Sequence, residues 1–283
     1  MSTSSSFLGP HPISLLRDES FGMRIAISND DGIHGRGIAV IARRLADAGH
    51  DVTIICPNRD MSGVGTSTGG DLRGSDGVLV EETEVDGVRA FAVDGPPAFC
   101  TLLALRGLMG APPELLVSGI NAGPNLGVST LHSGTVAAVV TAANFGVSGL
   151  AVSLVLPARV RDGYFETAAS VAVVVIEELA ERSGGRMFTA NLNVPNIPLE
   201  ELGGLRVTEL DSSPGFRSKG IEVRESDQDG KFVKFLYETL EFQPPETTDV
   251  GAVAASFASL SWIQGITTAT APDWHGEIVK RFE

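Results

Sequence analysis

Only two cysteines, Cys56 and Cys100, occur in the 283 residues. They are too few for a disulfide framework, no metal-ligand spacing links them, and such usage suits a reducing compartment, so a cytoplasmic protein is expected. Positive charge is also short, with 21 Lys and Arg against 35 Asp and Glu for a formal net charge of −14. Aromatic residues make up only 6%, and no basic or aromatic stripe compensates. A protein that grips a nucleic-acid polymer through its surface is therefore disfavoured. A small phosphorylated ligand is not, because a bound cation can offset carboxylates locally. Long apolar runs are missing as well. Residues 115–158 hold no Asp, Glu, Lys or Arg, yet Asn121, Pro124, Asn125, Ser133, Gly134 and Asn144 interrupt them. A membrane span would need about 20 predominantly apolar residues in a row, so this stretch reads as a buried core enclosing a polar site, and no membrane association is expected. Residues 1–22 are rich in Ser and interrupted by Pro, without an apolar h-region. They read as a flexible N-terminal extension rather than a signal peptide.

What is present is ordinary globular composition, 43% hydrophobic and 20% charged, enough to bury a substantial core. From Met23 onward, β-like runs alternate with helical ones. Residues 24–28 (RIAIS) precede a Gly-rich turn and a helical pattern over 38–48; residues 51–56 (DVTIIC) resume a β-branched run. This is a βαβ unit, which implies parallel strands and a right-handed crossover. Strands are expected again at 115–118, 150–156 and 187–194, and helices at 135–145 and 166–182. Near-continuous apolar strands imply burial on both faces, hence an α/β fold with a Rossmann-like, mostly parallel sheet between helix layers. After about Leu205 the pattern alternates: 220–226 and 231–240 flank Asp227-Gln228-Asp229-Gly230, a hairpin signal. An isolated two-stranded hairpin is marginal in water, so it is expected to pack on a neighbouring subunit. The expected organisation is an extension over 1–22, a catalytic core over 23–205, and a hairpin with a C-terminal segment over 206–283 that completes the fold and mediates oligomerisation.

Four segments carry chemistry-bearing residues at predicted strand ends or helix starts, where open α/β sheets bind ligands. Ser28-Asn29-Asp30-Asp31-Gly32 follows the first strand, and Gly32 allows both carboxylates to bend toward one cation; an acidic turn is the simpler alternative. Residues 58–65 (NRDMSGVG) offer the Ser62 hydroxyl. Residues 118–125 place Asn121 and Asn125 in a Gly/Pro loop. Ser133-Gly134-Thr135 opens a helix, where hydroxyl and N–H groups suit a phosphate, although plain N-capping by Ser133 serves equally. The glycines at 32, 35 and 37 do not follow the G-x-G-x-x-G dinucleotide pattern. Together the segments supply carboxylate, hydroxyl and amide oxygens with little Cys or His, a donor set suited to Mg²⁺ or Mn²⁺ rather than Zn²⁺. His34 and His132 flank the segments and are expected to be positioned polar residues.

These motifs together resemble the SurE family (survival protein E) of nucleoside monophosphate phosphatases. The similarity is carried by residues 24–32 (RIAISNDDG), 57–63 (PNRDMSG), 117–125 (VSGINAGPN) and 133–138 (SGTVAA), with weaker matches at 150–154, 191–195 and Thr248-Asp249. The resemblance implies one divalent cation per subunit, Mg²⁺ or Mn²⁺, held by Asp30, Asp31, Ser62 and Asn121. It implies a phosphate pocket lined by Asn125, Ser133, Gly134 and Thr135, with Asp30, Asp31 and Asn125 as the catalytic residues. The implied reaction is hydrolysis of nucleoside 5′-monophosphates, with 3′-nucleotides and short polyphosphate as further substrates, by a homodimer or homotetramer. Phe99, His132 and Ser256-Phe257 depart from the family's usual residues. They bear on substrate preference and assembly, and leave open a non-catalytic nucleotide sensor or a phosphatase for a non-nucleotide metabolite.

Overall fold

The computed structural model describes residues 22–69, 77–157, 160, 162–212, 216–226, 230–239 and 243–265. The expectations for residues 1–21, for the hairpin turn at 227–229 and for the C-terminal segment over 266–283 lie outside them.

Nine strands form one sheet. In chain order they are β1 (Arg24–Ser28), β2 (Asp51–Pro57), β3 (Val80–Val85), β4 (Val88–Val93), β5 (Leu115–Ala122), β6 (Ser148–Val155), β7 (Thr189–Pro195), β8 (Leu205–Thr208) and, after a separate hairpin, β11 (Ala258–Trp262). The spatial order is β3-β4-β2-β1-β5-β6-β7-β11-β8. The six strands from β4 to β7 run parallel. Antiparallel neighbours, β3 and β11, attach at the two ends of that block. The apolar runs of β1, β2 and β5 are buried on both faces because helices cover each side. On one face α1 (Arg36–Asp47) and α4 (Phe165–Arg182) pack Ile38, Ile41, Leu45, Ala172 and Ile176 against Ile25, Ile27 and Ile54. On the other, α2 (Pro97–Leu105) and α3 (Gly134–Asn144) pack Cys100, Ala104, Val136 and Val139 against Ala26, Ile55 and Leu116. Ile27, Ile54 and Leu116 are fully buried, each contributing about 1.5–3 kcal/mol of transfer free energy.

Several elements differ from the pattern read in the sequence. β5 does not stop at 118: it continues to Ala122, because its pairing with β6 resumes at Asn121↔Ser153 and Ala122↔Leu154 after an irregularity. Long-range pairing thus overrides the local Gly/Pro loop signal, and Asn121 sits on a strand end. The antiparallel pair β3–β4 was hidden by its composition, since Glu81, Glu82, Thr83 and Glu84 of the edge strand are exposed. After residue 205, β8, α5 (Asp249–Ala254) and β11 bring the chain back into the main sheet. The expected hairpin is present as β9 (Phe216–Glu225) and β10 (Lys231–Thr239), antiparallel and forming a sheet of its own. Among the described residues no helix is long and apolar enough to cross a membrane.

Candidate active site

β1 ends at Ser28 in the middle of the sheet, so the residues that follow emerge at its carboxyl edge between β2 and β5. The Asn29 side chain closes this turn in both directions: its Oδ1 accepts from Gly32 N–H at 3.1 Å and its Nδ2 donates to Gly32 O at 3.0 Å. Gly32 has φ +85° and lies against the Arg59 backbone, where a Cβ would come within 2.6 Å. The turn presents Asp30 and Asp31 to different neighbours. Asp30 is 4% exposed. Its Oδ1 accepts from Thr135 Oγ1 at 2.5 Å and its Oδ2 from Gly134 N–H at 3.1 Å. The half-buried Asp31 accepts at Oδ2 from Ala122 N–H, 3.0 Å away at the end of β5.

The other segments converge on the same edge. The Asp30 carbonyl accepts from Met61 N–H at 2.7 Å, one residue before Ser62, and Gly65 N–H donates to the His132 carbonyl at 3.1 Å. The loop after β2 is therefore tied to the turn after β1 on one side and to the start of α3 on the other. Ser62 is exposed, and its Oγ donates to Asp60 Oδ1 at 2.6 Å. Asn121 Nδ2 donates to the Gly123 carbonyl at 2.8 Å, which leaves the lone pairs of Oδ1 to face a cation. Ser133 is the N-cap of α3, its Oγ accepting from Val136 N–H at 3.0 Å, so the capping alternative holds. The first turn of α3 spends the Gly134 N–H and the Thr135 hydroxyl on Asp30. A helix N-terminus thus holds a carboxylate of the chain itself, as the orientation of its N–H groups and its dipole favour. Gly134 permits this approach, because a Cβ there would meet Asp30 Oδ2 at 2.9 Å. His34 and His132 are both exposed.

Burial raises the Asp30 carboxyl above its ordinary range, against the opposing pull of the Thr135 and Gly134 hydrogen bonds. Burial also pushes Asp31 up to about 6; the Ala122 N–H opposes this, and the charges of Asp30 and Asp60 add to it. Two adjacent carboxylates that are both costly to ionise form a site that a cation would relieve. Among the described residues no group of three or more His, Cys, Asp and Glu converges. A cation here would therefore complete its shell from hydroxyl and amide oxygens, which fits the hard-donor chemistry of Ser62 and Asn121 beside the two aspartates.

The family model described as "Survival protein SurE" matches residues 25–214. The chain belongs to the SurE family. It is 36% identical over 266 residues to a 5′-nucleotidase SurE from Trichormus variabilis, covering 89% of this chain and 96% of that protein. It is 40% identical over 189 residues to a 5′-nucleotidase SurE from Synechococcus elongatus, covering 66% and 70% respectively. The crystal structure of the SurE protein from Aquifex aeolicus superposes with a TM-score of 0.73 at 26% identity, covering 92% of this chain and all of that one.

Two groups of residues around this SurE-family site stood out in the sequence only as weaker family matches, with no role attached to them. Asn191 and Asn193 on β7 and Ser153 on β6, all fully buried, reach Asn125. Asp249, also fully buried, begins α5 and accepts from three backbone N–H groups: Gly127 at 2.7 Å, and Asp211 and Val250 at 2.9 Å each. The signal for the first group was two asparagines spaced i, i+2 inside an apolar strand, which places both amides on one buried face. Asp249 was matched together with Thr248 but its role was not legible, since two of its three partners lie 122 and 38 residues away in the chain.

Proposed function

We propose that this chain is a divalent-metal-dependent phosphomonoesterase acting on nucleoside 5′-monophosphates; its relatives from Trichormus variabilis and Synechococcus elongatus are named 5′-nucleotidases. The observation that carries the reading is the adjacent pair Asp30 and Asp31 at the carboxyl edge of the sheet, one anchored by the start of α3 and the other by the end of β5. Asp30, Asp31, Ser62 and Asn121 would hold one Mg²⁺ or Mn²⁺. The cation, when bound, neutralises charge on the phosphoryl oxygens and acidifies water. Asn125, Ser133, Gly134 and Thr135 line the phosphate side of the site, with Asn125 contributing a fixed amide to orient the ester. Asp30 and Asp31 place the attacking water in line with the leaving oxygen. 3′-Nucleotides and short polyphosphate fall within the same chemistry, and the two buried thiols suit a cytoplasmic setting.

Self-association as a dimer or tetramer rests on the hairpin. Val223 and Val233, and Ile221 and Phe235, are cross-strand partners on one face, and each is about half exposed, at 46–57%. A stripe of this kind on a projecting two-stranded sheet marks an interaction surface. Phosphate release from 5′- and 3′-nucleotides, sugar phosphates and polyphosphate, with Mg²⁺, Mn²⁺ or EDTA, tests the proposal. Metal-dependent release favouring nucleotides is expected. A preference for sugar phosphates would assign another metabolite, and nucleotide binding without any release would make the chain a sensor.

A further inference from the structure

Four hydrogen bonds from two strands converge on a single loop residue. Asn125 N–H donates to Asn193 Oδ1 at 2.9 Å, and Asn193 Nδ2 donates back to the Asn125 carbonyl at 3.0 Å. The Asn193 amide therefore grips both backbone groups of one residue, as a paired strand would. Asn191 Nδ2 donates to the same carbonyl at 2.8 Å, filling its second lone pair. From β6, Ser153 Oγ accepts from Asn125 Nδ2 at 2.8 Å. All three partners are fully buried. They lie on one face of the sheet, since Ala151↔Asn191 and Ser153↔Asn193 are register partners in the parallel pair.

Such an arrangement is costly for loop anchoring alone. Two asparagines occupy core positions in β7, between Ala190, Leu192 and Val194, where apolar residues would bury without penalty. Asn191 Oδ1 even remains without a partner among the described residues. What this gains is rigidity at one residue: the backbone is held at both polar groups, and the side-chain amide plane is fixed through Nδ2. That leaves Oδ1 and the second N–H of Asn125 at a defined orientation for a ligand. Asp30 and Asp31 take their hydrogen bonds from other elements, α3 and β5, so the clamp controls Asn125 independently of the aspartates.

We infer that Asn193, supported by Asn191 and Ser153, is a positioning residue that sets the orientation of Asn125 toward the substrate phosphate. The inference rests on the phosphatase reading for the role of Asn125; the clamp itself can be measured without it. Asn193→Leu keeps the volume and removes both bonds, and Asn193→Asp keeps the acceptor but sets an oxygen against the Asn125 carbonyl. Ser261→Ala is the control: Ser261 is equally buried on the same face, and among the described residues its hydroxyl bonds to Thr208 Oγ1 at 2.8 Å and makes no bond to Asn125. Hydrogen exchange of the peptide spanning residues 121–127 reads the clamp directly. The Asn125 amide is expected to be protected in the native chain and in Ser261→Ala, and to exchange at least tenfold faster in Asn193→Leu and Asn193→Asp. With folding verified below the thermal midpoint, kcat/KM for a 5′-nucleotide should fall about 10- to 100-fold in both Asn193 variants. The inhibition constant of inorganic phosphate should rise alongside, while the Mn²⁺ dissociation constant moves less than threefold. In Ser261→Ala only the thermal midpoint should fall. Unchanged exchange at Asn125 would overturn the clamp, and faster exchange with native kcat/KM would overturn its part in orienting substrate. A native chain that releases no phosphate would refute the phosphatase reading instead, with exchange and phosphate binding still deciding the clamp. If neither Asn193 variant folds, Ser153→Ala provides the test, predicting the same split between phosphate and Mn²⁺ affinity; unaltered phosphate affinity there would count against the inference.

Discussion

Replacing Gly134 with Ala adds one methyl group at the point where α3 meets Asp30. The new Cβ would lie 2.8 Å from Asp30 Cβ, 2.9 Å from Oδ2 and 3.2 Å from Cγ. Asp30 cannot swing aside freely, because it is 4% exposed and its Oδ1 is held by Thr135 at 2.5 Å. Either the carboxylate or the helix start must shift by about half an ångström, and the Gly134 N–H bond to Oδ2 weakens in both cases. Overpacking of this kind costs about 1–3 kcal/mol, and a hydrogen bond to a charged group is worth about 1.5–3 kcal/mol. The helix propensity of Ala offsets at most about 1 kcal/mol. The expected net destabilisation is about 2–4 kcal/mol, read as a lowered urea midpoint with an unchanged slope. Turnover should fall as well, by up to about 10²-fold, the cost of misplacing a reacting group by about 1 Å. Isothermal titration with Mn²⁺ and phosphate release at saturating metal measure the two effects. A Gly134→Ala protein with native Mn²⁺ affinity and native turnover would refute the assignment of α3 as the support of Asp30.

Two further predictions follow from the same carboxylates. Thr135→Val removes the hydroxyl donor from a buried carboxylate and should destabilise the chain by about 1.5–3 kcal/mol, with Mn²⁺ affinity falling and Thr135→Ser restoring most of both in thermal melts and titrations. In the metal-free protein, Asp31 has its pKa pushed up to about 6 from 3.8, so between those values the folded state holds more protons than the unfolded one and stability falls as pH rises. The loss amounts to at most about 3 kcal/mol, complete above pH 6. Urea titrations in EDTA at pH 4 and pH 7 should show this slope reduced in Asp31→Asn, and an identical slope in the variant would contradict it.

The sequence made the site legible where its chemistry is local. Asp30-Asp31-Gly32 directly follows an apolar run, and Ser133-Gly134-Thr135 directly precedes a helical one, so strand end and helix start could be placed by pattern alone. Asn191 and Asn193 were harder, because their meaning depends on which loop crosses β7, and that loop lies 66 and 68 residues away in the chain. The edge pair β3–β4 was obscured because four exposed polar residues of β3 mask the strand pattern. α2 escaped notice for the opposite reason: Pro97, Ala98, Cys100, Thr101 and Ala104 are all buried, so no polar face reveals its period. The return of β11 beside β7 has no local signature, since an antiparallel partner joins a parallel sheet only through long-range pairing. Ser133-Gly134-Thr135 reads as an anion cradle, and in the fold its Gly134 N–H and Thr135 hydroxyl meet the Asp30 carboxylate. The physics of the helix N-terminus was read correctly, but its ligand within the chain was not visible from spacing.

In the proposed phosphatase, Asp30 and Asp31 form the cation site at which phosphate monoesters are hydrolysed. Phosphate release from a 5′-nucleotide, measured across Mg²⁺ and Mn²⁺ concentrations for the native chain and for Asp30→Asn, tests it most directly. Release by the native chain that EDTA abolishes and metal restores, with Asp30→Asn reduced at least 10²-fold at saturating metal, is the predicted result. Turnover that survives EDTA, or an Asp30→Asn protein that matches the native rate, would contradict it.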